Sequence, residues 1–322
     1  MRFDEPFIKL PLQFDAATLE REVRELPASS WVPHPTGFPG NEAVRLVTVN
    51  GAPTDGFEGP MRPTENLDRM PYVKQLMGEL DGVWSRSRLM GLGAGAEVPE
   101  HVDAHYHWRT HVRIHVPILT DPRVLFTCGD ETVHMAPGEC WMFDSFRWHK
   151  VENGWIDRRV HLVLDTVTTP SIRALAEAAR EGAPTRFLTP AVEPSRPLKF
   201  EQINAPTIVS PWELRCHIEF IMAHADDHQH VPALRDRLDR LAEDWAAIWA
   251  QFGTNSQGVP EYRQTLRDAY RDIMPMAGQE MKSKNGDFLG NVLHALIFSP
   301  AIGPPTLAGT AAAPRAPQRV AS

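Results

Sequence analysis

The sequence predicts a mainly β N-terminal domain of the sandwich or barrel type, followed by a helical C-terminal domain. Two observations support this prediction. Up to about residue 170, short apolar or alternating runs are separated by Gly, Pro and Asp, which favours an all-β sandwich or barrel over βαβ units. Beyond that point, apolar residues recur every three or four positions, which is typical of amphipathic helices.

Seven strands are predicted in the N-terminal part. They cover residues 43–49, 85–92, 110–119, 123–128, 131–135, 139–144 and 158–167. A Pro-Gly pair at 137–138 separates two of these runs, and proline followed by glycine favours a tight turn. We place the β domain at 1–190 and the helical domain at 191–302. Residues 303–322 are rich in Pro, Ala and Gly and are predicted to be disordered.

The C-terminal helices are predicted from their apolar spacing. The run "SIRALAEAAREG" begins with Ser171, which we expect to cap a helix, and ends on glycine. The clearest helix covers 231–253, where apolar residues from Leu234 through Trp245 to Phe252 form one stripe. That stripe must be buried, either against the β domain or against a second copy of the chain, so a homodimer is one possible arrangement.

Composition excludes several classes of protein. The net charge of −8 argues against nucleic acids and anionic membranes as partners. No apolar run approaches the ~20 residues of a transmembrane helix, and the first residues lack the order of a signal peptide, so we expect a cytoplasmic protein. The three cysteines are too few and too scattered for a disulfide framework, and Cys128 and Cys140 are expected to be buried apolar residues.

The segment 99–118, "PEHVDAHYHWRTHVRIHVPI", holds five of the fourteen histidines. Residues of a strand alternate between its two faces, so Arg113 and His115 point one way, while the apolar residues between them point the other. By itself this pattern also fits a strand with one solvent-facing side.

A possible metal site favours a functional role for this segment over a strand with one solvent-facing side. His101 and Asp103, two positions apart on an extended chain, project to the same side, and His149 follows a second predicted strand. Two histidines and one carboxylate form the facial triad that binds non-haem Fe(II) and leaves three coordination positions open. Two of those positions suit a bidentate 2-oxoacid and the third suits O2. Arg159 begins a later strand, where its planar cation suits the far carboxylate of 2-oxoglutarate.

The run from roughly 85 to 167 resembles the aspartyl/asparaginyl β-hydroxylase branch of the Fe(II)/2-oxoglutarate-dependent dioxygenases. The shared elements are His-x-Asp, "RIHVPI", "PGE-W-FD", a second His followed by Val and Asn, and a closing arginine strand. The layout is also similar to the bacterial free-proline hydroxylases of this branch. The resemblance implies a double-stranded β-helix (jelly roll) followed by a helical domain.

The resemblance also implies roles for individual residues. His101, Asp103 and His149 correspond to the metal ligands, and Arg159 corresponds to the anchor of the 2-oxoglutarate 5-carboxylate. Arg113 and His115 correspond to the pair that lines the cosubstrate pocket. The aspartate argues for hydroxylation over halogenation, because related halogenases lose this carboxylate. A serine that helps to hold the cosubstrate in the animal enzymes has no clear counterpart at 88–92.

The substrate side is less defined. His107 and Trp108 lie between the metal motif and its strand and are candidates for the substrate mouth, although a plain loop fits equally well. Trp31, His34 and Arg45 lie in an N-terminal segment that could close over the pocket. We expect O2-dependent hydroxylation of an amino acid or an amino-acid-derived small molecule. A peptide side chain and a lipid or sugar moiety remain alternatives, as does a cupin-like metal-binding protein or isomerase that does not use 2-oxoglutarate.

Overall fold

The structure is a computed structural model that describes residues 4–191, 196–277 and 280–303. The chain forms two compact units, one that ends at Asn204 and one that begins at Ala205. The first unit thus extends beyond position 190, because a short strand at Lys199–Phe200 pairs with the strand at Val83–Leu92. Apart from Gly303, the predicted disordered tail lies outside the described residues.

All the strands that the structure describes lie in the first unit. They are β1 (Phe7–Phe14), β2 (Val32–Pro33), β3 (Asn41–Val49), β4 (Met61–Pro63), β5 (Val83–Leu92), β6 (Glu97–His101), β7 (His111–Leu119), β8 (Val124–Cys128), β9 (Glu131–Val133), β10 (Glu139–Phe143), β11 (His149–Asn153), β12 (Arg159–Val167), β13 (Arg186–Leu188) and β14 (Lys199–Phe200). Its α-helices are α1 (Ala16–Glu25), α2 (Glu65–Asp68), α3 (Pro71–Leu80) and α4 (Pro170–Arg180), and a 3₁₀ helix covers Tyr106–Arg109.

The strands form two sheets. The larger has the order β13-β1-β10-β7-β12-β5-β3-β2, with β14 beside β5 and β4 beside β3, and the smaller has the order β6-β11-β8-β9. Ring contacts between His115 and Phe126 and between Phe143 and His149 join their inner faces. This arrangement is the predicted double-stranded β-helix, and the space between its sheets is where the candidate site lies.

The outer face of the larger sheet is apolar. Val112, Ile114 and Val116 of β7 point there, as the alternation in 110–119 predicts, and they belong to one core with Leu19 of α1 and Leu76 of α3. Burying each such side chain stabilises the fold by about 1.5–3 kcal/mol. Alternate residues of β7, such as Arg113 and His115, face inward, where a smaller apolar cluster that includes Phe126 and Phe143 also lies. The main hydrophobic core therefore lies outside the barrel.

All seven predicted strands are present, as β3, β5, β7, β8, β9, β10 and β12. The longer elements that the sequence analysis did not predict are β1, β6, β11, α1 and α3. The cap of α4 differs from the prediction. Thr169, not Ser171, accepts the hydrogen bond of the Ile172 amide at 3.2 Å, because the helix begins with Pro170 in its first turn. The Ser171 hydroxyl donates instead to Asp81 at 2.8 Å.

The second unit is helical. It contains α5 (Pro211–His224), α6 (Val231–Phe252), α7 (Val259–Ala277), α8 (Leu289–Leu293) and a π-helical turn at His294–Phe298. The predicted stripe of α6 is buried inside this unit, where Trp245 packs on Tyr262 of α7 with ring centroids 4.4 Å apart and donates to the Val209 carbonyl. Neither burial against the β domain nor a second copy is therefore needed to cover Trp245. No helix in the described ranges is long and apolar enough to cross a membrane.

Candidate active site

The three predicted metal ligands come together at one end of the smaller sheet. His101 ends β6 and His149 begins β11, and the antiparallel register places the two residues opposite each other. Asp103 follows the end of β6, and its backbone amide donates to the Ser145 carbonyl in the loop before β11. One ligand atom from each of the three residues lies within 4.8 Å of the others. This set of two imidazoles and one carboxylate can hold a single divalent ion.

Backbone hydrogen bonds orient both imidazoles toward that ion. The Nδ1 atom of His101 lies 2.8 Å from the Pro99 carbonyl, and Nδ1 of His149 lies 2.9 Å from the Arg147 carbonyl. A carbonyl only accepts, so each Nδ1 carries the proton and each Nε2 keeps a lone pair for a metal. Burial lowers the pKa of His149 to about 4, so this imidazole is neutral at physiological pH.

The loop before His149 is held by side-chain hydrogen bonds. Asp144 accepts from the Phe146 amide and from the Arg147 side chain, each at 3.1 Å. At the other end of β11, the buried Asn153 amide donates at 2.9 Å to the carbonyl of Leu92, the last residue of β5. These bonds fix both ends of the strand that presents the predicted metal ligand His149.

Arg113 connects Asp103 to the larger sheet. Its guanidinium donates to Asp103 at 3.1 Å and, through two nitrogens, to Asp165 of β12 at 2.8 and 3.2 Å. Asp165 is 1% exposed. Burial alone would lower the pKa of Arg113, but Asp165 and then Asp103 outweigh burial and raise it. Arg113 is therefore a permanent cation that two carboxylates engage, and it orients the carboxylate of Asp103.

A second buried arginine has no such partner. Arg159 begins β12 and is 4% exposed, and its Nε and Nη2 atoms have no hydrogen-bond partner among the described residues. Burial lowers the pKa of Arg159 to about 9, which leaves it charged at neutral pH. Both ring nitrogens of His115 and His161 are also buried and have no hydrogen-bond partner in the described ranges. This group of unsatisfied buried atoms fits an anionic ligand with several acceptor oxygens.

Aromatic rings connect the metal ligands to this cationic pocket. Phe143 lies 5.0 Å from the His149 ring and 5.3 Å from the His115 ring, measured between centroids. Phe126 contacts the same two rings, and His161 lies 5.8 Å from His115. The lining between the two groups is thus apolar, which excludes water from whatever binds there.

The predicted substrate residues lie in different places. His107 and Trp108 are in the 3₁₀ helix after the metal motif, and Trp108 stacks on Arg113 at 4.3 Å. Trp31 is not brought to the metal ligands. It packs under Arg158 and beside Gly91, on the outer face of the larger sheet.

Other residues near the site were missed by the sequence analysis. Asp165 is one, although its even spacing from Arg159 places both on the same strand face. Arg86 and Arg88 of β5 are two more, and they too share a face. Glu201, which accepts a hydrogen bond from the His111 ring at 2.8 Å, lies just beyond β14, where no local pattern marks it.

Residues 54–169 match the sequence model of the aspartyl/asparaginyl β-hydroxylase family. This match confirms the resemblance over that segment, which contains every predicted metal ligand and Arg159, and it supports the prediction of a 2-oxoglutarate-dependent dioxygenase. Among curated proteins, no match was found.

Several solved structures are similar to parts of the chain. A 2OG-Fe(II) oxygenase family oxidoreductase from Burkholderia pseudomallei has 13% identity and a TM-score of 0.37, over 47% of this chain and 77% of that one. A prolyl-4-hydroxylase from Pseudomonas putida has 14% identity and a TM-score of 0.34, over 52% and 95%. A predicted oxalate decarboxylase from Thermotoga maritima has 15% identity and a TM-score of 0.27, over 43% and 90%.

Proposed function

We propose that this 2-oxoglutarate-dependent dioxygenase, whose residues 54–169 match the aspartyl/asparaginyl β-hydroxylases, hydroxylates an unactivated C–H bond of an amino acid or an amino-acid-derived small molecule. The observation that carries the proposal is that two features occur together between the two sheets. One is a cluster of two imidazoles and a carboxylate, and the other is a buried arginine without an acidic partner among the described residues.

The ligand set suits Fe(II). His101 and His149 offer Nε2 atoms, and Asp103 offers a carboxylate oxygen 3.9 Å from Nε2 of His149. Three protein ligands of this type leave coordination positions open for a 2-oxoacid and O2. When bound, the iron supplies the oxidation of the C–H bond, coupled to decarboxylation of 2-oxoglutarate to succinate.

The residues of the pocket suit 2-oxoglutarate. Arg159 can donate two parallel hydrogen bonds to the 5-carboxylate, with the imidazoles of His115 and His161 beside it. The rings of Phe126 and Phe143 keep the space toward the metal ligands dry. A buried cation without a counter-ion is costly, so the carboxylate compensates a charge that the apoprotein leaves unpaired.

Arg113 then has a positioning role rather than a cosubstrate contact. It fixes the Asp103 carboxylate toward the imidazoles, while Asp165 balances its charge and holds its plane. Asp103 as a ligand favours hydroxylation over halogenation, since it occupies the coordination position that a halide would take. A cupin-like protein without 2-oxoglutarate has no use for the unpaired Arg159.

The test is iron binding and succinate formation in ligand variants. His149→Ala should lose tight Fe(II) binding, measured by anaerobic titration calorimetry, and should form no succinate from 2-oxoglutarate. His134→Ala is the matched control, because His134 is a half-buried histidine that bonds the Val124 carbonyl at 3.2 Å and lies outside the cluster. Iron affinity in His149→Ala equal to that of the parent would show that the triad is wrongly assigned. A panel of amino acids, peptides and acyl compounds then identifies the substrate class by its stimulation of succinate formation.

A further inference from the structure

Two arginines of β5 lie beside the metal centre without carboxylates of their own. Arg86 and Arg88 occupy alternate positions of the strand and so share its inner face. Their side chains are 11% and 5% exposed. Arg86 lies across Asp165 from Arg113, so a continuous line of contacts runs from Asp103 through Arg113 and Asp165 to Arg86.

The nearby carboxylates are already engaged. Asp165 gives both of its oxygens to Arg113. Asp55 gives both of its oxygens to Arg45, at 3.1 and 2.5 Å. Arg86 approaches Asp165 only to 4.0 Å, and Arg88 approaches Asp55 only to 4.0 Å. Asp103 is assigned to the metal. The two other carboxylates, Asp55 and Asp165, then face four arginines, which are Arg45, Arg86, Arg88 and Arg113, so two positive charges are not neutralised.

The direct hydrogen-bond partners of the two arginines are neutral. Arg86 donates to the Asp55 backbone carbonyl at 2.8 Å, and its Nε atom has no partner among the described residues. Arg88 contacts Nε2 of His34 at 3.0 Å. Burial, together with Arg88, lowers the pKa of His34 to about 4, so this ring is uncharged at neutral pH. The guanidinium groups of Arg86 and Arg88 are thus partly hydrogen-bonded, but their positive charges are not neutralised.

The ring of Phe57 lies between Arg86 and His107, and we call the group of Arg86, Arg88, Phe57 and His107 the corner. The Arg86 guanidinium lies 3.7 Å from the centroid of the Phe57 ring, whose centroid is 4.3 Å from that of the His107 ring. Nε2 of His107 is buried and has no hydrogen-bond partner in the described part of the chain. The corner therefore combines two cations, an unpartnered polar atom and an apolar surface, which together match an organic anion.

We propose that the substrate carries a carboxylate that binds to Arg86 and Arg88, with His107 beside it. This inference rests on the proposed function and narrows its substrate class to small molecules with a free carboxylate, such as free amino acids. A carboxylate can accept from both guanidinium groups and balances their excess charge. It occupies a different place from the cosubstrate carboxylate, which belongs to Arg159. An internal residue of a peptide has no α-carboxylate to offer here.

The experiment compares acids with their amides. Protein loaded with Zn(II) and 2-oxoglutarate is mixed with each free amino acid and with its primary amide, and binding is followed by saturation-transfer difference NMR. At least one acid should bind, at least tenfold more tightly than its amide. The double variant Arg86→Gln/Arg88→Gln should weaken that binding at least tenfold. Arg62→Gln, at an arginine that bonds Gln202 on the surface, should leave it unchanged.

The outcomes separate this inference from the proposed function. The affinity for 2-oxoglutarate should stay the same in the double variant and should fall in Arg159→Gln. Equal binding of acids and amides to the parent, or no binding by any acid, would overturn the inference even if the double variant fails to fold. Loss of 2-oxoglutarate binding in the double variant would also overturn it, because the cosubstrate would then occupy the corner. A parent enzyme that never forms succinate would refute the proposed function instead.

Discussion

Replacement of Arg159 by glutamine should remove most of the affinity for 2-oxoglutarate. The guanidinium is 4% exposed, and its Nε and Nη2 atoms have no protein partner in the described chain, so a bound carboxylate would receive two charge-assisted hydrogen bonds. Losing such a contact at a buried site costs about 2–4 kcal/mol. Since 1.4 kcal/mol corresponds to a factor of ten, the Kd should rise by roughly 30- to 700-fold.

The assay is calorimetric titration of 2-oxoglutarate into anaerobic, Fe(II)-loaded protein. Iron affinity should be unchanged, because Arg159 is not a ligand of the proposed triad. Thermal unfolding gives an independent readout. The cosubstrate-free variant should be at least as stable as the parent, since a buried cation without a counter-ion is removed, while stabilisation by added 2-oxoglutarate should largely disappear.

Arg158→Gln is the matched control. Arg158 precedes Arg159 but stacks on Trp31 at 4.0 Å and pairs with Glu42 at 3.1 Å, on the other face of the strand. This variant should bind 2-oxoglutarate within twofold of the parent. A folded Arg159→Gln protein that also binds within twofold would refute the assignment of the buried arginine as the anchor.

Three further outcomes are expected. Asp165→Asn should lower the free energy of unfolding in urea by about 3–5 kcal/mol, because it leaves Arg113 without its main counter-ion; a loss below 1 kcal/mol would contradict this pairing. Burial, followed by Arg159, lowers the pKa of His161 far below its ordinary value, so the unfolded chain takes up a proton below about pH 6.5 that the folded chain does not. The free energy of unfolding therefore falls with decreasing pH. In urea unfolding, the decrease between pH 7.5 and 5 should be about 2 kcal/mol smaller in His161→Phe than in the parent. Equal decreases would show that the folded ring is protonated. A chain ending at residue 204 should fold and bind iron, whereas one ending at 195 should be less stable by thermal unfolding, because it lacks Glu201, the buried partner of His111.

Much of the fold was predictable because the larger sheet has a strong alternating pattern. Strands such as 110–119 place apolar residues on one face and polar residues on the other, and this period identifies them without tertiary information. The strands β6 and β11 were not predicted as such. Each has five residues, and their polar composition ("EVPEH" and "HKVEN") gives no apolar alternation. β6 is defined by pairing with β11, and β11 by pairing with β6 and β8, which is a long-range property.

The candidate site, like the fold, was predictable only in part. His101, Asp103, His149 and Arg159 were proposed from motif order and spacing, and the structure brings ligand atoms of the first three within 4.8 Å of one another. The engagement of Arg113 by Asp165 was not predicted. It depends on the register between β7 and β12, which places these two residues opposite each other across the sheet. Local sequence does not specify which strands become neighbours, so charge pairing across strands stays hidden until the topology is known.

The larger sheet separates stability from chemistry, and this separation bears on evolvability. Its outer face packs residues such as Ile114 and Leu164 into the main core, while alternate positions of the same strands carry Arg86, Arg113 and Arg159 toward the site. A change at Arg86 or Arg88 alters what the inner surface can bind and leaves the outer packing intact. A lineage with this architecture can exchange one substrate for another through a few inward-facing substitutions, without a compensating series of changes in its core.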